Sequence, residues 1–193
     1  MLTIRRRTFA LNSVALGTMM AGATVYAALR PRQGWAQSAT APKGLSKLIA
    51  GEPRSLPDTA FTDAEGKPMS FADFSGKGLI VNFWATWCAP CAAEMPALDK
   101  SQITLGSQGL AVLALSSDRG GKSQVEAFYR RIGIHNLPVL LDPRGTAARA
   151  FGARGLPTSV LVNRQGQEVA RIEGEAEWDH PEWLAKVKEL TLA

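Results

Sequence analysis

The length, composition and charge of the chain already restrict what it can be. Its 193 residues suit one domain with an added segment, and a hydrophobic content of 46% is enough to build a core. The chain has 22 basic and 17 acidic residues, but residues 1–36 hold five of the basic ones and none of the acidic ones, so the two signs balance in the rest. A domain without net charge gives no sign of a nucleic-acid surface, and we expect no nucleic-acid partner.

The N-terminus is typical of a bacterial export signal. Three arginines, Arg5 to Arg7, precede an uncharged and mostly apolar run over residues 11–29. That run is long enough to span a bilayer, so it is either a cleaved signal or a retained anchor in the inner membrane. The stretch Arg6-Arg7-Thr8-Phe9 partly matches the twin-arginine motif, which leaves both export routes open. We therefore expect a periplasmic protein whose residues 1–36 form the signal or anchor.

The stretch that follows is rich in Ala, Pro, Ser, Gln and Gly and predicts a flexible linker at 37–51, ahead of one folded domain at 52–193. The domain begins with a predicted hairpin around the turn cluster 63–67 and a short turn at 71–74. Strands are predicted at 79–84, 109–115, 137–141 and 159–162, with a returning antiparallel strand at 168–172. Helices are predicted at 92–100, 122–132, 146–151 and 181–190. Helices that alternate with buried strands indicate an α/β sheet with helices on both faces.

The two cysteines of the chain, Cys88 and Cys91, stand between a predicted buried strand and a predicted helix. This puts Cys88 just before the helix and Cys91 in its first turn. The unpaired N–H groups and the dipole at a helix N-terminus stabilise a thiolate, which is the nucleophilic form of cysteine. A second thiol three residues away can close a disulfide and release a mixed-disulfide intermediate. The spacing predicts a reversible redox pair, with Cys88 as the attacking thiol and Cys91 as the resolving thiol.

Two other roles for the cysteine pair have less support in the sequence. A structural zinc site needs four Cys or His ligands, and only His135 and His180 could join the cysteines, neither of them at ligand spacing. A purely structural disulfide would close a very short loop and would stabilise the fold little. We therefore expect no metal at the pair, and we expect both histidines to be surface or hydrogen-bonded residues.

The chain resembles the TlpA/ResA/CcmG family of extracytoplasmic thiol:disulfide oxidoreductases from about Leu56 to its C-terminus. Four segments carry this resemblance: the active-site signature at 83–91, Glu94-Met95-Pro96 after it, the loop Gly155-Leu156-Pro157-Thr158, and an inserted strand and helix within 139–151. The family implies a thioredoxin fold, in which helices flank a central mixed sheet, with an N-terminal hairpin extension and a strand–helix insertion. It also implies an enzyme with a redox-active Cys88–Cys91 disulfide.

The resemblance assigns roles near the thiols to Asn82 and Glu94. Cytosolic thioredoxins carry, six residues before the first cysteine, a buried Asp that relays a proton to the resolving thiol, and this chain has Asn82 there. Because Asn cannot titrate, Glu94 is the replacement, one helical turn after Cys91 and on the same face. The alternative is that Glu94 is a solvated surface residue.

The proline loop and two residues beside the thiols complete the predicted site. By resemblance, the Leu156–Pro157 peptide bond is cis, although X-Pro bonds are cis in only ~5–6% of folded cases. A cis-Pro loop beside Cys88 would leave the backbone of Leu156 free to pair with an extended substrate chain. Trp87 would cover the thiol from one side, unless it is a core aromatic, and Pro90 between the cysteines is a supporting residue.

The combined prediction is a periplasm-facing thiol:disulfide oxidoreductase, a thioredoxin-like reductase that contributes to cell redox homeostasis. Export and a Cys-X-X-Cys motif together indicate a redox protein of an oxidising compartment. By resemblance, its substrates are protein disulfides in cytochrome c maturation (cytochrome c biogenesis) or in copper-centre assembly. Its electrons would come from a membrane thiol-reducing protein. The resemblance implies no organic cofactor, and we expect a monomer.

Three alternatives stay open at the level of sequence. A disulfide-forming oxidant on the same fold would differ in reduction potential, which the residues between the cysteines do not settle. A copper-binding assembly protein would use both cysteines and a distant histidine such as His135 as ligands. A peroxidase is the weakest alternative, because Thr86 precedes the first cysteine by two residues but the second cysteine and Trp87 fit a thioredoxin better.

Overall fold

A computed structural model describes residues 41–192 of the chain. The strands of this part are β1 Ile49–Ser55, β2 Ala60–Thr62, β3 Pro68–Ser70, β4 Gly78–Trp84, β5 Leu110–Ser116, β6 Leu140–Leu141, β7 Thr158–Val162 and β8 Gln167–Glu173. Its α-helices are α1 Ala89–Gly106, α2 Gly121–Ile132, α3 Thr146–Ala150 and α4 Pro181–Thr191, and short 3₁₀ turns occupy Leu45–Lys47 and Phe71–Phe74. All eight strands form one mixed sheet in the order β1-β8-β7-β4-β5-β6-β2-β3.

Strand β4 is central because every one of its residues is buried and most are apolar. Continuous apolar runs suit strands that are covered on both faces of a sheet. β4 pairs in parallel with β5 and antiparallel with β7, so that Phe83 lies opposite both Leu115 and Thr158. The end of β4 and the start of β7 therefore meet at one edge of the sheet. The cysteines follow β4 and the proline loop precedes β7, so both reach this edge.

The side chains of β4 alternate between two cores, one on each face of the sheet. Ile80 and Trp84 enter the first core, whereas Leu79 and Phe83 enter the second. Asn82 has the same parity as Ile80 and so faces the first core. The three long helices α1, α2 and α4 complete the first core, mainly with Met95, Leu98, Val125, Phe128, Trp183 and Val187. Helix α3 and the 60–74 region complete the second core, mainly with Phe61, Phe71, Ala147 and Phe151.

This architecture confirms the predicted fold. The hairpin extension is formed by β2 and β3, which pair antiparallel across the turn cluster 63–67. The inserted strand and helix are β6 and α3, and the last strands β7 and β8 pair antiparallel as predicted. The predicted helix at 92–100 is longer at both ends, because the cysteine loop leads directly into α1 and the helix continues to Gly106.

The predicted strand at 137–141 forms only over Leu140–Leu141. The carboxylate of Asp99 on α1 accepts hydrogen bonds from the backbone N–H groups of residues 135, 136 and 137, at distances of 3.2, 2.7 and 3.0 Å. Pro138 has no N–H group to offer a neighbouring strand. The backbone before Leu140 is therefore bound to the helix rather than to the sheet.

Residues 41–51 correct the predicted boundary between linker and domain. Pro42 is buried, and β1 already pairs with β8 from its first residue. The carbonyl oxygen of Lys43 accepts a hydrogen bond from Trp183 Nε1 at 2.9 Å. Gly44 has a left-handed φ of 86°, so this small residue serves a turn rather than flexibility. The prediction of a flexible linker is wrong for residues 41–51, which belong to the folded domain.

Within residues 41–192, no helix has both the length and the apolar character needed to cross a bilayer. The predicted signal or anchor at 1–36, with its apolar run 11–29, lies outside the described residues, as do residues 37–40 of the predicted linker. The predictions about export and anchoring therefore stay predictions.

Candidate active site

The cysteine pair lies at the junction between β4 and α1. Cys88 is the N-cap residue of α1, and its Sγ accepts a hydrogen bond from the backbone N–H of Cys91 at 3.3 Å. Pro90 fits the first turn, where backbone N–H groups have no partner within the helix and a missing one costs nothing. The two sulfurs form a disulfide. The structure thus shows the oxidised pair at a helix N-terminus, a position that favours a thiolate once the bond is reduced.

The two cysteines differ in their access to solvent. Cys88 is 7% exposed, whereas Cys91 is completely buried. Thiol–disulfide exchange requires direct access of one sulfur to another, so a partner protein can reach Cys88 more easily than Cys91. The asymmetry fits an attacking role for Cys88 and a resolving role for Cys91.

Glu94 lies one helical turn after Cys91 and is only 3% exposed. Its Oε1 accepts a hydrogen bond from Asn82 Nδ2 at 2.8 Å, and its Oε2 accepts from the backbone N–H of Ala176 and the indole N–H of Trp178, both at 3.0 Å. Burial raises the pKa of Glu94 to about 7, although the three hydrogen bonds favour its charged form. The alternative of a solvated surface glutamate is therefore wrong.

Asn82 is fully buried on β4 and faces Glu94. Its Nδ2 donates to Ser159 Oγ at 2.9 Å as well as to Glu94, while its Oδ1 has no hydrogen-bond partner among residues 41–192. A buried polar atom without a partner costs about 1–3 kcal/mol. The amide is thus a fixed donor toward the carboxylate, in an orientation that costs the fold some stability.

The loop before β7 approaches the cysteines from the neighbouring strand. The Leu156–Pro157 peptide bond is cis, the geometry that the resemblance implies. The carbonyl oxygen of Pro157 accepts a hydrogen bond from the N–H of Gly174 at 2.8 Å, which ties the loop to the end of β8. The backbone of Leu156 makes no hydrogen bond to any residue of 41–192, so its N–H and C=O groups are available to another chain.

Comparison with known proteins shows to which family the chain belongs. A model of the AhpC/TSA family matches residues 54–170, which include both cysteines, Glu94 and the proline loop. This chain belongs to the AhpC/TSA family. The thiol-disulfide oxidoreductase ResA of Bacillus thuringiensis is 33% identical to it over 135 residues, which cover 69% of this chain and 77% of ResA.

Two solved structures extend the comparison of this AhpC/TSA protein. The thiol:disulfide interchange protein DsbE of Chlorobium tepidum matches with a TM-score of 0.61 at 25% identity, covering 74% of this chain and 96% of that one. An exposed lipoprotein thioredoxin of Streptococcus pneumoniae matches with a TM-score of 0.57 at 30% identity, covering 68% and 98%. These similarities confirm the predicted resemblance to thioredoxin-like thiol:disulfide oxidoreductases.

The residue directly before Cys88 is an exposed aromatic one. Trp87 is 71% exposed, so the alternative of a core aromatic is wrong. It borders an open groove of about 1090 Å³ that extends to Leu156. We name this the Trp87 groove; besides these two residues its lining includes Asp118, Arg119, Arg144, Arg149 and Arg154.

The histidines and Thr86 form no second site in this AhpC/TSA domain. His135 is exposed, and His180 is the N-cap of α4, where its Nδ1 accepts a hydrogen bond from the N–H of Glu182 at 3.2 Å. In the part of the chain that the structure describes, no group of three or more His, Cys, Asp or Glu could hold a metal ion. His135 thus forms no such group with Cys88 and Cys91 in the oxidised state that the structure describes. The hydroxyl of Thr86 donates to Asp118 Oδ1 at 2.7 Å instead of facing the thiols.

Four residues of the site escaped the sequence analysis. Ala176 and Trp178 reach Glu94 from 82 and 84 residues further along the chain, so no local spacing reveals them. Ser159 could be found only from the register between β7 and β4. Asp118 had a usable signal, because it is a polar residue two positions after the buried strand β5, which ends beside the end of β4.

Proposed function

We propose that this protein is an extracytoplasmic thiol:disulfide reductase whose Cys88–Cys91 pair transfers two electrons to protein disulfides. The observation that carries the proposal is the arrangement of a slightly exposed Cys88, a completely buried Cys91 and a buried acid one helical turn further on. The relatives named thiol-disulfide oxidoreductase and thiol:disulfide interchange protein support the same reaction type.

The reaction begins with the reduced pair. The Cys88 thiolate attacks one sulfur of the substrate disulfide, that S–S bond breaks, and the other substrate sulfur leaves and takes up a proton. Cys91 then loses its proton and attacks Cys88 Sγ, which breaks the mixed disulfide and releases the second substrate sulfur as a thiol. The substrate gains two electrons and two protons, and the protein ends with the Cys88–Cys91 disulfide.

We propose that Glu94 accepts the proton that the Cys91 thiol loses and later returns it. The two residues are one turn apart on the same face of α1, close enough for exchange directly or through one water. With a pKa of about 7, Glu94 can accept a proton and return it at neutral pH. Because a carboxylate and a thiolate repel each other, the two groups should titrate as a coupled pair.

The substrates and the location follow from the resemblance to the TlpA/ResA/CcmG group. Leu156 would pair through its free backbone with an extended segment of a protein from cytochrome c maturation or copper-centre assembly. A membrane thiol-reducing protein would return the electrons. Residues 1–36 would export the chain to the periplasm or anchor it in the inner membrane, and residues 41–192 would act there as a monomer.

Cysteine variants test the reaction and the two roles. Cys91→Ser should form a stable mixed disulfide with a reducible substrate protein, because the resolving thiol is missing, whereas Cys88→Ser should form none. Non-reducing electrophoresis and mass spectrometry detect the adduct, and circular dichroism confirms that both variants are folded. A folded Cys91→Ser protein that forms no adduct would refute the assignment.

The direction of electron flow needs a separate measurement. A reductase should have a reduction potential near the ~−270 mV of thioredoxin, and a disulfide-forming oxidant one near the ~−120 mV of strong oxidants. Equilibration with glutathione buffers gives this value. A potential close to the oxidant's would replace the proposed reductase with the oxidant on the same fold.

A further inference from the structure

The Trp87 groove is basic although the domain around it is electrically balanced. Arg119, Arg144, Arg149 and Arg154 line it, and Asp118 is the one acidic residue of its lining. Local charge of one sign in a concave site raises the concentration of oppositely charged partners and speeds their association. A groove of this kind beside a reactive sulfur is therefore expected to select its partner by charge.

The carboxylate of Asp118, the acidic residue of the lining, is buried and fully hydrogen-bonded. Asp118 is only 1% exposed. Its Oδ1 accepts hydrogen bonds from Thr86 Oγ1 and Gln124 Nε2, and its Oδ2 accepts from the N–H of Thr86 and from Ser116 Oγ, all within 2.8 Å. With both oxygens occupied, this carboxylate holds the loop before Cys88 and offers no acceptor to the arginines or to a partner.

Two guanidinium groups of the lining are available. Arg119 and Arg144 are exposed, and neither forms an ion pair with a residue of 41–192. Arg149 is also exposed and has no ion pair there, but its Nη1 donates a hydrogen bond to the carbonyl oxygen of Arg144. Arg154 is already paired with Glu173 on the surface through three hydrogen bonds of 3.0–3.1 Å, so we do not count it among the available groups. The planar guanidinium group binds carboxylates through two parallel hydrogen bonds, a geometry that Lys cannot offer.

The groove lies beside the reacting centre. Its lining includes Trp87, which is bonded to Cys88, and Leu156, which precedes the cis proline and makes no backbone hydrogen bond within residues 41–192. A chain that presents its disulfide to Cys88 can therefore place the residues next to that disulfide along this surface. The groove is open rather than enclosed, which suits an extended segment better than a small molecule.

We propose that the Trp87 groove binds a carboxylate-rich, extended segment that flanks the disulfide of the substrate protein. The inference rests on the proposed reduction of protein disulfides and names the chemistry of their flanks. Asp and Glu side chains of the segment pair with Arg119 and Arg144, while its backbone pairs with Leu156. A single-stranded nucleic acid is the other polyanion that the groove could meet, but nothing beyond Trp87 offers stacked bases a second aromatic platform in its lining.

Matched peptide substrates test this selection. Three disulfide peptides of one length carry Asp and Glu, Ser and Gln, or Lys beside the disulfide. The full chain is first reduced with dithiothreitol and freed of it, and the second-order rate constant for its single-turnover reduction of each peptide is measured at low and high salt. We expect the acidic peptide to be reduced about tenfold faster than the neutral one at low salt, and the Lys peptide more slowly than both. The preference should shrink at high salt, since the Debye length falls to about 3 Å at 1 M.

Arginine variants locate the effect. The double variant Arg119→Gln, Arg144→Gln should abolish the preference for the acidic peptide and leave the rate with the neutral peptide unchanged. Arg164→Gln is the matched control, because this exposed arginine lies in the β7–β8 turn at the far end of the sheet. Urea unfolding of the variants checks that the fold is intact.

The outcomes separate the inference from the proposed function. Equal rates for the three peptides, or an acidic preference that survives in the double variant, would overturn the inference while the reductase activity stands. Failure of the wild-type chain to reduce even the neutral peptide would instead overturn the proposed function. Inhibition by a mixed-sequence oligonucleotide that the double variant relieves, without any preference among the peptides, would assign the groove to nucleic acid.

Discussion

Glu94 shows how one residue acquires its chemistry from distant parts of the chain. Its position on α1 follows from the sequence, but its acidity comes from burial against the segment 176–178 and from Asn82 on β4. Three donors hold the carboxylate in place, yet burial prevails and raises its pKa to about 7. The residue is therefore half-ionised near neutral pH, where a proton carrier works best.

Replacing Glu94 should change the acid–base behaviour of the thiols. In Glu94→Gln the negative charge is gone, so we expect the apparent thiol pKa values to fall and alkylation of reduced Cys88 to become fast at lower pH. The measurement is the alkylation rate against pH, with Glu189→Gln on the exposed face of α4 as the control. Superimposable profiles for wild type and Glu94→Gln would make Glu94 a bystander.

The same variant should be less stable than the wild type. A Gln side chain places an NH₂ group where one of the two Glu94 oxygens accepts hydrogen bonds. Either Asn82 Nδ2, or the N–H groups of Ala176 and Trp178 together, then lose their acceptor, at about 1–3 kcal/mol for each donor. The rates must therefore be compared under conditions where circular dichroism shows both proteins to be folded.

The raised pKa of Glu94 also predicts how stability depends on pH. The folded state binds the proton more tightly than the unfolded state, so the oxidised protein should lose stability as pH rises from about 4.5 to about 7. A shift of this size corresponds to about 3 kcal/mol. Urea unfolding at several pH values measures the trend, and Glu94→Gln should lack it.

A second carboxylate gives an internal check of that trend. Burial alone would raise the pKa of Glu168, but hydrogen bonds from Arg171 and Arg54 lower it below the ordinary value. The stability that ionised Glu168 contributes is therefore fully present above its unfolded pKa and is lost only as the pH falls toward its lower folded pKa. A wild-type stability that stays flat or increases between pH 4.5 and 7 would contradict the role of Glu94.

At the scale of elements, the sequence identifies strands and helices well where apolar residues repeat without interruption. β4 and α2 form within one residue of their predicted ends, since a buried strand and an amphipathic helix each leave a clear period. The short strand β6 was predicted too long, because the hydrogen bonds of Asp99 to the preceding backbone come from α1 and leave no trace in the local pattern.

The predicted boundary between linker and domain was wrong for a different reason. Residues 41–51 have the composition of a linker, but their backbone contacts the last helix and the last strand of the domain. Local composition indicates whether a segment can fold by itself. Residues 41–51 are instead ordered by their contacts with Trp183 and β8, which composition does not reveal. Partners that are more than a hundred residues away cannot be read from a local window.

This boundary leads to a prediction about truncation. A chain that starts at Glu52 loses the acceptor of the buried Trp183 N–H and the packing of Leu45 and Leu48, so its unfolding free energy should fall by about 2–4 kcal/mol. Urea unfolding compares it with a chain that starts at Ala41, which should match one that starts at Gln37. Equal urea midpoints for all three chains would contradict this role and support the prediction of a flexible linker up to residue 51.

At the scale of the whole molecule, charge separates two regions with different tasks. The excess of basic residues belongs to residues 1–36, and the rest of the chain is balanced overall, although four of its arginines line the Trp87 groove. Net charge alone would have suggested a basic protein. Its distribution instead agrees with the predicted export leader at residues 1–36 and with an electrically balanced domain after it.

Export can be tested with a reporter. A phosphatase that becomes active only when its own disulfides form, fused after Ala193, should be active with the complete chain and inactive when residues 1–36 are deleted. Positive charge before an apolar run holds that end in the cytoplasm and sends the rest across. Activity in the deleted form would contradict the prediction.

The fate of the leader follows from the same experiment. We expect the fusion in the membrane fraction if the run 11–29 is kept as an anchor. A soluble product whose first residue is Gln37 would show instead that a signal peptidase removes the leader.

The hydrogen bond between Trp178 and Glu94 gives the protein a built-in optical probe. Excitation of an indole moves electron density from its pyrrole ring to its benzene ring, so a negative charge at the N–H lowers the energy of the excited state. Trp178 is fully buried and donates this N–H to Glu94 Oε2, so its fluorescence should shift to the blue when the carboxylate takes up a proton. Stopped-flow emission, with Trp178→Phe as the blank, can then time the proton against the thiol without any label.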